Sequence, residues 1–265
     1  MVVIKLVRGA RKKSETGIYH IMLRGANKQE IFHDEEDRFR FIGTIKKCKK
    51  EVEFLVYGWC LMDNHVHLLI EEGIEDISIT MKRIGVSYVW YYNQKYKTTG
   101  HLFQDRFRSE AVETDDYLLG VLRYIHQNPV KAGYVKKSDE WKWSSYSEYV
   151  NNTTLYELTD CIYILDMFAD FRNTAIKRFK EFTQEINDDK YLDQDNNEKI
   201  HLDDEEARQE IFSLLDRLDV GPGQVKAMSK TQRDEILREV KNIKGVTQRQ
   251  AARILGVSPN LVFKA

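Results

Sequence analysis

The spacing of hydrophobic and polar positions changes several times over about the first 150 residues. Stretches rich in β-branched and aromatic residues predict strands, and amphipathic stretches with acids first and lysines last predict helices. In chain order the predicted elements are a strand at 17–23, a helix at 34–51, strands at 53–61 and 65–71, a helix at 76–97, a strand at 109–113 and a helix from 114 or 115 to 127. We expect the last helix to stop before Pro129, because a proline disfavours helical backbone in the residue that precedes it.

The order strand–helix–strand–strand–helix–strand is that of a split βαβ sheet. Aromatic residues stay dense up to residue 149, so the first domain is predicted over residues 1–150. Residues 151–202 contain an apolar helical patch near 161–183 and then turn acidic, which indicates a helical connector with an acidic linker. Residues 203–265 predict three or four short helices. The predicted class is α+β, a ferredoxin-like sheet domain followed by a small all-α domain of helix-turn-helix type.

Composition and charge narrow the class of protein. With 42% hydrophobic residues among 265, the chain can bury a core, which excludes a disordered or fibrous protein. Three scattered cysteines without a CxxC pair favour the reducing cytoplasm over a disulfide framework or a cysteine zinc site. The chain has no run of 18 apolar residues, so no membrane span is predicted. The net charge of the whole chain is −1, but residues 1–50 alone carry a net charge of +7. A nucleic-acid partner is therefore not excluded, although ordinary surface charge explains any single basic cluster.

Two histidines on one predicted strand are the sharpest chemical signal. His65 and His67 are two residues apart, so their side chains point to the same face of the sheet, with Cβ atoms roughly 6–7 Å apart. That spacing allows both imidazoles to reach one metal ion. Taken alone, this pattern is more typical of hydrogen-bonded surface or core histidines.

A tyrosine and an asparagine on the last predicted helix form a second constellation. Tyr124 and Asn128 are four residues apart and lie on one helix face, about 5.4 Å apart along the axis. A tyrosine that attacks phosphate needs a nearby Lewis acid, and an amide oxygen one turn away can be a third ligand of a hard divalent ion. The alternative is that Tyr124 is a core aromatic and Asn128 ends the helix before Pro129.

Three motifs in this order resemble those of the single-tyrosine HUH transposases of the insertion-sequence-200-like family, and most closely its REP-associated branch. The first is Cys-Leu-Met-Asp-Asn-His-Val-His-Leu-Leu-Ile at 60–70, the second Gly-His-Leu-Phe-Gln-Asp-Arg-Phe-Arg-Ser at 100–109, and the third extends from Tyr117 through Arg-Tyr-Ile-His-Gln-Asn-Pro-Val-Lys-Ala-Gly at 123–133. The resemblance covers about residues 15–150. Asp63 stands where that family often has proline, in a turn without a catalytic residue.

The resemblance implies a role for each residue of both constellations. His65, His67 and Asn128 would bind Mg²⁺ or Mn²⁺, and Tyr124 would be the nucleophile. Such an enzyme cleaves and rejoins single-stranded or hairpin DNA through a 5′-phosphotyrosine intermediate. Tyr117 is a competing nucleophile on nearly the same helix face, but it has no polar residue one turn further on.

Basic and polar residues in the matching loops are candidate DNA contacts. These are Arg24, Asn27, Lys28, Gln104, Arg106, Arg108 and Lys131. Phe103 and Phe107 could stack on bases, and core packing is an equally good explanation for both. The spacing of tyrosines at 88, 91, 92 and 96 favours core packing over base stacking.

The segment 247–260 is typical of a helix, a tight glycine turn and a second helix, and it resembles the DNA-binding modules of the Trp-repressor-like class. Thr247 and Ser258 are good N-caps, and Pro259 suits a first helical position. Six residues follow Pro259, so the second helix has under two turns, and a packing bundle is the alternative. Asn260 and Lys264 are the candidate DNA contacts.

Two other functional classes remain as alternatives. One is a non-catalytic regulator that binds hairpin DNA and derives from a transposase. The other is a ferredoxin-like RNA-binding domain, which would need exposed aromatic residues on the sheet where this chain has histidines. The oligomeric state is left open.

Overall fold

A computed structural model describes residues 12–151, 156–185, 191–192, 202, 204–221, 223–243 and 245–265. The chain divides into two compact units, Met1–Asp193 and Gln194–Ala265. The acidic residues predicted to form the linker, at 188, 189, 193, 195 and 198, lie outside the described residues. No helix in the described part of the chain combines the length and the apolar character needed to cross a bilayer.

The first unit is built on a four-stranded antiparallel sheet in the order β2-β3-β1-β4. The strands are β1 (Ile18–Arg24), β2 (Leu55–Leu61), β3 (His65–Glu71) and β4 (Arg108–Ala111). Helix α1 (Glu35–Val52) joins β1 to β2, and α2 (Ile77–Tyr96) joins β3 to β4. The predicted split βαβ order and the α+β class are therefore confirmed.

Helices α1 and α2 cover one face of the sheet. Alternate residues of the strands, such as Ile21, Trp59 and Leu68, are fully buried in this core. Tyr88 of α2 is also fully buried and donates its hydroxyl to the carbonyl of Ile31 at 2.6 Å. The tyrosine run of α2 thus packs in the core, as its helical spacing predicts.

Helix α3 (Asp115–Lys131) lies on the opposite face and positions the candidate nucleophile. Thr114 caps it by accepting a hydrogen bond from the Tyr117 amide. The expectation that this helix ends at Gln127 is wrong, because it continues through the buried Pro129 to Lys131. Proline removes one helical hydrogen bond, but the Ala132 amide donates to the Asn128 carbonyl at 2.9 Å, so the pattern resumes after it.

Three more helices complete the core on the α3 side of the sheet, namely α4 (Tyr146–Val150), α5 (Cys161–Asp166) and α6 (Arg172–Gln184). Phe179 of α6 stacks on Tyr149 of α4 with ring centroids 4.6 Å apart. The apolar patch of the predicted connector is therefore part of the first unit. The functional division at residues 150 and 202 stays a prediction.

The second unit is helical over its described residues. Its helices are α7 (Asp204–Arg217), α8 (Lys230–Asn242), α9 (Gln248–Leu255) and α10 (Pro259–Lys264). A capping box of Thr247 and Gln250 starts α9, and Gly256 ends it in the left-handed region at φ +64°. Leu255 and Val262 are buried in the core of this unit, so α9 and α10 form the expected helix, turn and helix.

Candidate active site

Polar side chains gather on the part of the sheet that faces α3. Cross-strand partners point to the same face, and two such rows are found here. Arg24 of β1 pairs with His65 of β3. Met22 of β1 pairs with His67 on one side and with Arg108 of β4 on the other. The two histidines and two arginines therefore share one face.

Both histidines use Nδ1 for a hydrogen bond within the protein. His65 Nδ1 lies 2.6 Å from Oδ1 of Asn64, and His67 Nδ1 lies 3.0 Å from Nε2 of His20. The two imidazole centroids of His65 and His67 are 5.0 Å apart. With Nδ1 engaged in each ring, Nε2 is the atom that would coordinate a metal ion.

Asn128 reaches this position because α3 does not end before Pro129. Its side chain is buried, and its amide nitrogen lies 3.5 Å from Nε2 of His67. Rotating the amide by half a turn would present Oδ1, the atom suited to a hard cation, at the same place. The structure thus brings His65, His67 and Asn128 together.

This donor set fits a divalent ion that takes further ligands from elsewhere. Within the described ranges, no group of three or more His, Cys, Asp or Glu side chains could hold a metal ion. The candidate site therefore offers two imidazoles and one amide. Water and phosphate oxygens would have to complete the coordination of Mg²⁺ or Mn²⁺.

Tyr124 lies over the same point of the sheet. Its ring centroid is 5.7 Å from that of His67, and the rings are almost perpendicular at 89°. The ammonium group of Lys131 lies 5.3 Å from the Tyr124 ring centroid. The tyrosine side chain is 6% exposed, so the structure places it against the histidines and away from bulk solvent.

The competing nucleophile, Tyr117, is held differently. Burial is the main factor that raises the pKa of the Tyr117 phenol above its usual value, and the phenol also donates a hydrogen bond to the carboxylate of Glu110, whose charge raises the pKa further. A phenol bound in this way is harder to convert into the phenolate that attacks phosphorus. The Tyr117 phenol is therefore engaged by Glu110.

Two aromatic side chains at the site were not predicted. His20 contacts His67 from the neighbouring strand, and Tyr191 packs on Tyr124 with ring centroids 5.1 Å apart and on Tyr117 at 5.4 Å. The sequence offered only weak signals for these two residues. His20 is a histidine among apolar residues in the first predicted strand, and Tyr191 is a single tyrosine in an acidic segment.

Three loops meet at the end of the sheet where β3 begins with His65. The Gln104 amide donates to the Arg24 carbonyl at 2.9 Å, and Nδ2 of Asn64 donates to the Lys28 carbonyl at 3.2 Å. The side chains of Asn27, Lys28, Gln104, Arg106 and Lys131 are exposed, whereas Arg24 and Arg108 are half-buried. In the second unit, Asn260 and Lys264 are exposed on α10.

The phenylalanines of the second motif belong to the core. Phe107 is buried, and the partly buried Phe103 packs against the same core. Base stacking by these two rings is therefore not supported.

Comparison with known proteins shows which family this part of the chain is similar to. Residues 13–128 match the family model described as "Transposase IS200 like". Over these residues the chain is similar to the IS200-like transposases. The family resemblance seen in the three motifs is confirmed, and the match contains the two histidines, Tyr124 and Asn128.

Two curated relatives carry names from the REP-associated branch. This chain is 27% identical over 118 residues to the "Putative REP-associated tyrosine transposase" of Haemophilus influenzae, a match that covers 40% of this chain and 66% of the relative. It is 30% identical over 106 residues to the "REP-associated tyrosine transposase" of Escherichia coli, covering 39% of this chain and 61% of that relative. Each match thus spans less than two thirds of the relative.

A solved structure is also similar to this chain. It is described as a REP-associated tyrosine transposase bound to a REP hairpin, and it is 19% identical with a TM-score of 0.46. The match covers 58% of this chain and 97% of that one.

Proposed function

We propose that this chain is a metal-dependent tyrosine transposase that cleaves and rejoins single-stranded or hairpin DNA. The observation that carries the proposal is the convergence of four side chains from two elements, His65 and His67 from β3 and Tyr124 and Asn128 from α3. The match to the IS200-like family over residues 13–128 supports it.

Nε2 of His65, Nε2 of His67 and the amide of Asn128 would hold Mg²⁺ or Mn²⁺. When bound, the ion supplies a Lewis acid that polarises the scissile phosphate. Asn64 holds the His65 ring in place by a hydrogen bond to Nδ1 of His65, and His20 holds the His67 ring by a hydrogen bond to Nδ1 of His67. The protein's own part in this step is to keep the three ligand atoms facing one point.

Tyr124 would attack the phosphorus atom. Its phenolic oxygen loses its proton and forms a bond to phosphorus while the bond to the 3′ oxygen breaks; the 5′ phosphate stays on the tyrosine, and the 3′ oxygen takes up a proton and leaves as a hydroxyl. The Lys131 ammonium near the ring favours the negative charge that develops on the phenol. Attack by a 3′ hydroxyl on the phosphotyrosine then rejoins the strand without outside energy.

The loops beside His65 would hold the DNA backbone. Exposed Asn27, Lys28, Gln104 and Arg106, together with Arg24, lie where a strand leading to the site can be contacted. Binding through the cations Arg24, Lys28 and Arg106 should weaken with salt, with a log–log slope of about −0.7 for each phosphate neutralised on a single strand. Arg108 and Lys131 extend this charge toward the site, and Asn260 and Lys264 would contact duplex DNA through the second unit.

Covalent trapping tests the proposal. The full chain is incubated with end-labelled hairpin DNA and Mn²⁺, and adducts that survive denaturation are counted for the wild type, Tyr124→Phe, Tyr117→Phe and the double variant His65→Ala/His67→Ala. We expect an adduct on the 5′ end of the cut that persists in Tyr117→Phe, the matched control on the same helix, and is absent from the other two variants.

Other outcomes would redirect the proposal. An adduct lost in Tyr117→Phe alone would move the nucleophile two turns up α3. No adduct from any variant, with hairpin binding intact and the far-UV circular dichroism of a folded protein, would support the non-catalytic regulator instead.

A further inference from the structure

A second pair of histidines lies buried beneath α3, and one of them is not a candidate metal ligand. Nε2 of His20 lies 3.0 Å from Nδ1 of His67, with the ring centroids 5.3 Å apart. Both side chains are fully buried. The contact joins neighbouring strands, because β1 and β3 pair side by side.

The direction of this hydrogen bond decides whether His67 can bind a metal ion. A neutral imidazole carries one N–H and one lone pair. If Nδ1 of His67 donates to His20, the lone pair of His67 lies on Nε2, which faces Asn128. If His20 donates instead, Nε2 of His67 carries the proton and cannot coordinate.

A carboxylate on the far side of His20 favours the first arrangement. Glu110 of β4 is the direct cross-strand partner of His20, so their side chains share a face with Cβ atoms about 4.5–5.5 Å apart. The hydrogen bond from Tyr117 holds this carboxylate in place. Carboxylate oxygens accept hydrogen bonds, so a carboxylate on this side of His20 favours an N–H on the nitrogen that faces it and a lone pair on Nε2 of His20.

We propose that His20 is a positioning residue that holds His67 in the tautomer with hydrogen on Nδ1 and a lone pair on Nε2. Glu110 of β4 lies opposite His20 of β1, and His20 contacts His67 diagonally on β3, so these three side chains link the edge strand to the site. The inference rests on the proposed function in one respect, that His67 is a metal ligand.

Imidazole nuclear magnetic resonance tests the tautomer without metal or DNA. The chain has seven histidines, so ¹⁵N-histidine labelling gives a countable set of long-range ¹H–¹⁵N patterns, and His67 is assigned by its loss in His67→Gln. We expect the Nδ1–H tautomer for His67 in the wild type. Finding the Nε2–H tautomer would overturn the proposal even if every His20 variant failed to fold.

Metal affinity tests the consequence. Mn²⁺ binding to the full chain is measured by electron paramagnetic resonance in the wild type, His20→Leu, His20→Gln and Met22→Leu. Losing a residue that orients a metal ligand typically weakens affinity ten- to a hundred-fold, so we expect a loss of about that size in His20→Leu. His20→Gln, whose side-chain oxygen can accept from His67, should retain most of the affinity. Met22→Leu is the matched control, since Met22 is a buried neighbour of His67 on the same face.

The failures of this inference and of the proposed function differ. If the wild type binds Mn²⁺ no better than His65→Ala, the metal site itself is wrong. If the wild type binds Mn²⁺ in a manner that depends on His65, yet folded His20→Leu binds equally well, the metal site stands and the role of His20 is refuted. A loss in His20→Leu that His20→Gln does not restore would also count against a hydrogen-bonding role.

Discussion

A glycine in β2 sets the distance between α3 and the sheet, and replacing it tests how the site is positioned. A Cβ atom on Gly58 would lie 2.6 Å from Cδ1 of Leu122 and 3.8 Å from Cδ1 of Ile125, both on α3. Ordinary carbon contacts are about 3.5–4.0 Å, so Gly58→Ala requires a shift of roughly 1 Å. Leu122 is 1% exposed and has little room to turn away.

We predict that Gly58→Ala lowers the free energy of unfolding of the first unit by about 1–3 kcal/mol, the usual cost of overpacking a core. Because Leu122 and Tyr124 share α3, the shift also moves Tyr124, the proposed nucleophile, relative to His67. A displacement of about 1 Å at a reacting group can lower a rate by about a hundred-fold, so adduct formation should slow well beyond the loss of folded protein.

Urea unfolding followed by tryptophan fluorescence measures the stability. The four tryptophans, at 59, 90, 141 and 143, all lie in the first unit, so the signal reports that unit. Gly43→Ala in α1 is the matched control, since a Cβ atom there meets nothing within 4 Å. Alanine is the better helix former, so this control should gain about 0.5–1 kcal/mol.

A double variant isolates the contact. Leu122→Ala alone should cost about 2–5 kcal/mol through the cavity it leaves. In Gly58→Ala/Leu122→Ala the clash is gone, so the combined loss should be smaller than the sum of the single losses by at least about 0.5 kcal/mol. Additive losses, or a Gly58→Ala protein as stable as the wild type, would refute the reasoning.

Two further predictions concern the support of α3. Thr114→Ala removes the N-cap and should lower the free energy of unfolding by about 1 kcal/mol in the same fluorescence assay, and Thr114→Ser should restore that stability. An unchanged urea midpoint in the alanine variant would contradict the capping role. Burial lowers the pKa of His126 to about 3, so the unfolded chain takes up a proton below about pH 6.5 that the folded protein does not. The free energy of unfolding should therefore fall from pH 6.5 toward pH 3 with a slope of up to about 1.4 kcal/mol per pH unit. His126→Gln keeps a polar partner for Ser145 and should flatten this slope. Equal slopes in the two proteins would argue against a neutral buried His126.

Local patterns predicted much of the fold. The alternation of apolar residues located β3 at its observed bounds, and the charges at both ends of the second element located α1 to within one residue. Pro129 is where local reasoning failed. The preference of the residue before a proline is small compared with the packing of the last turn of α3, where Asn128 and Pro129 are both buried.

The candidate site divides in the same way. Residues two apart on a strand, or four apart on a helix, share a face wherever the element lies. The sequence by itself therefore determined that His65 and His67 share one face of their strand and that Tyr124 and Asn128 share one face of their helix. Only the tertiary structure decided that these two pairs face each other, that His20 contacts His67 and that Tyr191 covers Tyr124. Those contacts join residues distant along the chain, and their geometry depends on how closely α3 packs on the sheet, which no local spacing specifies.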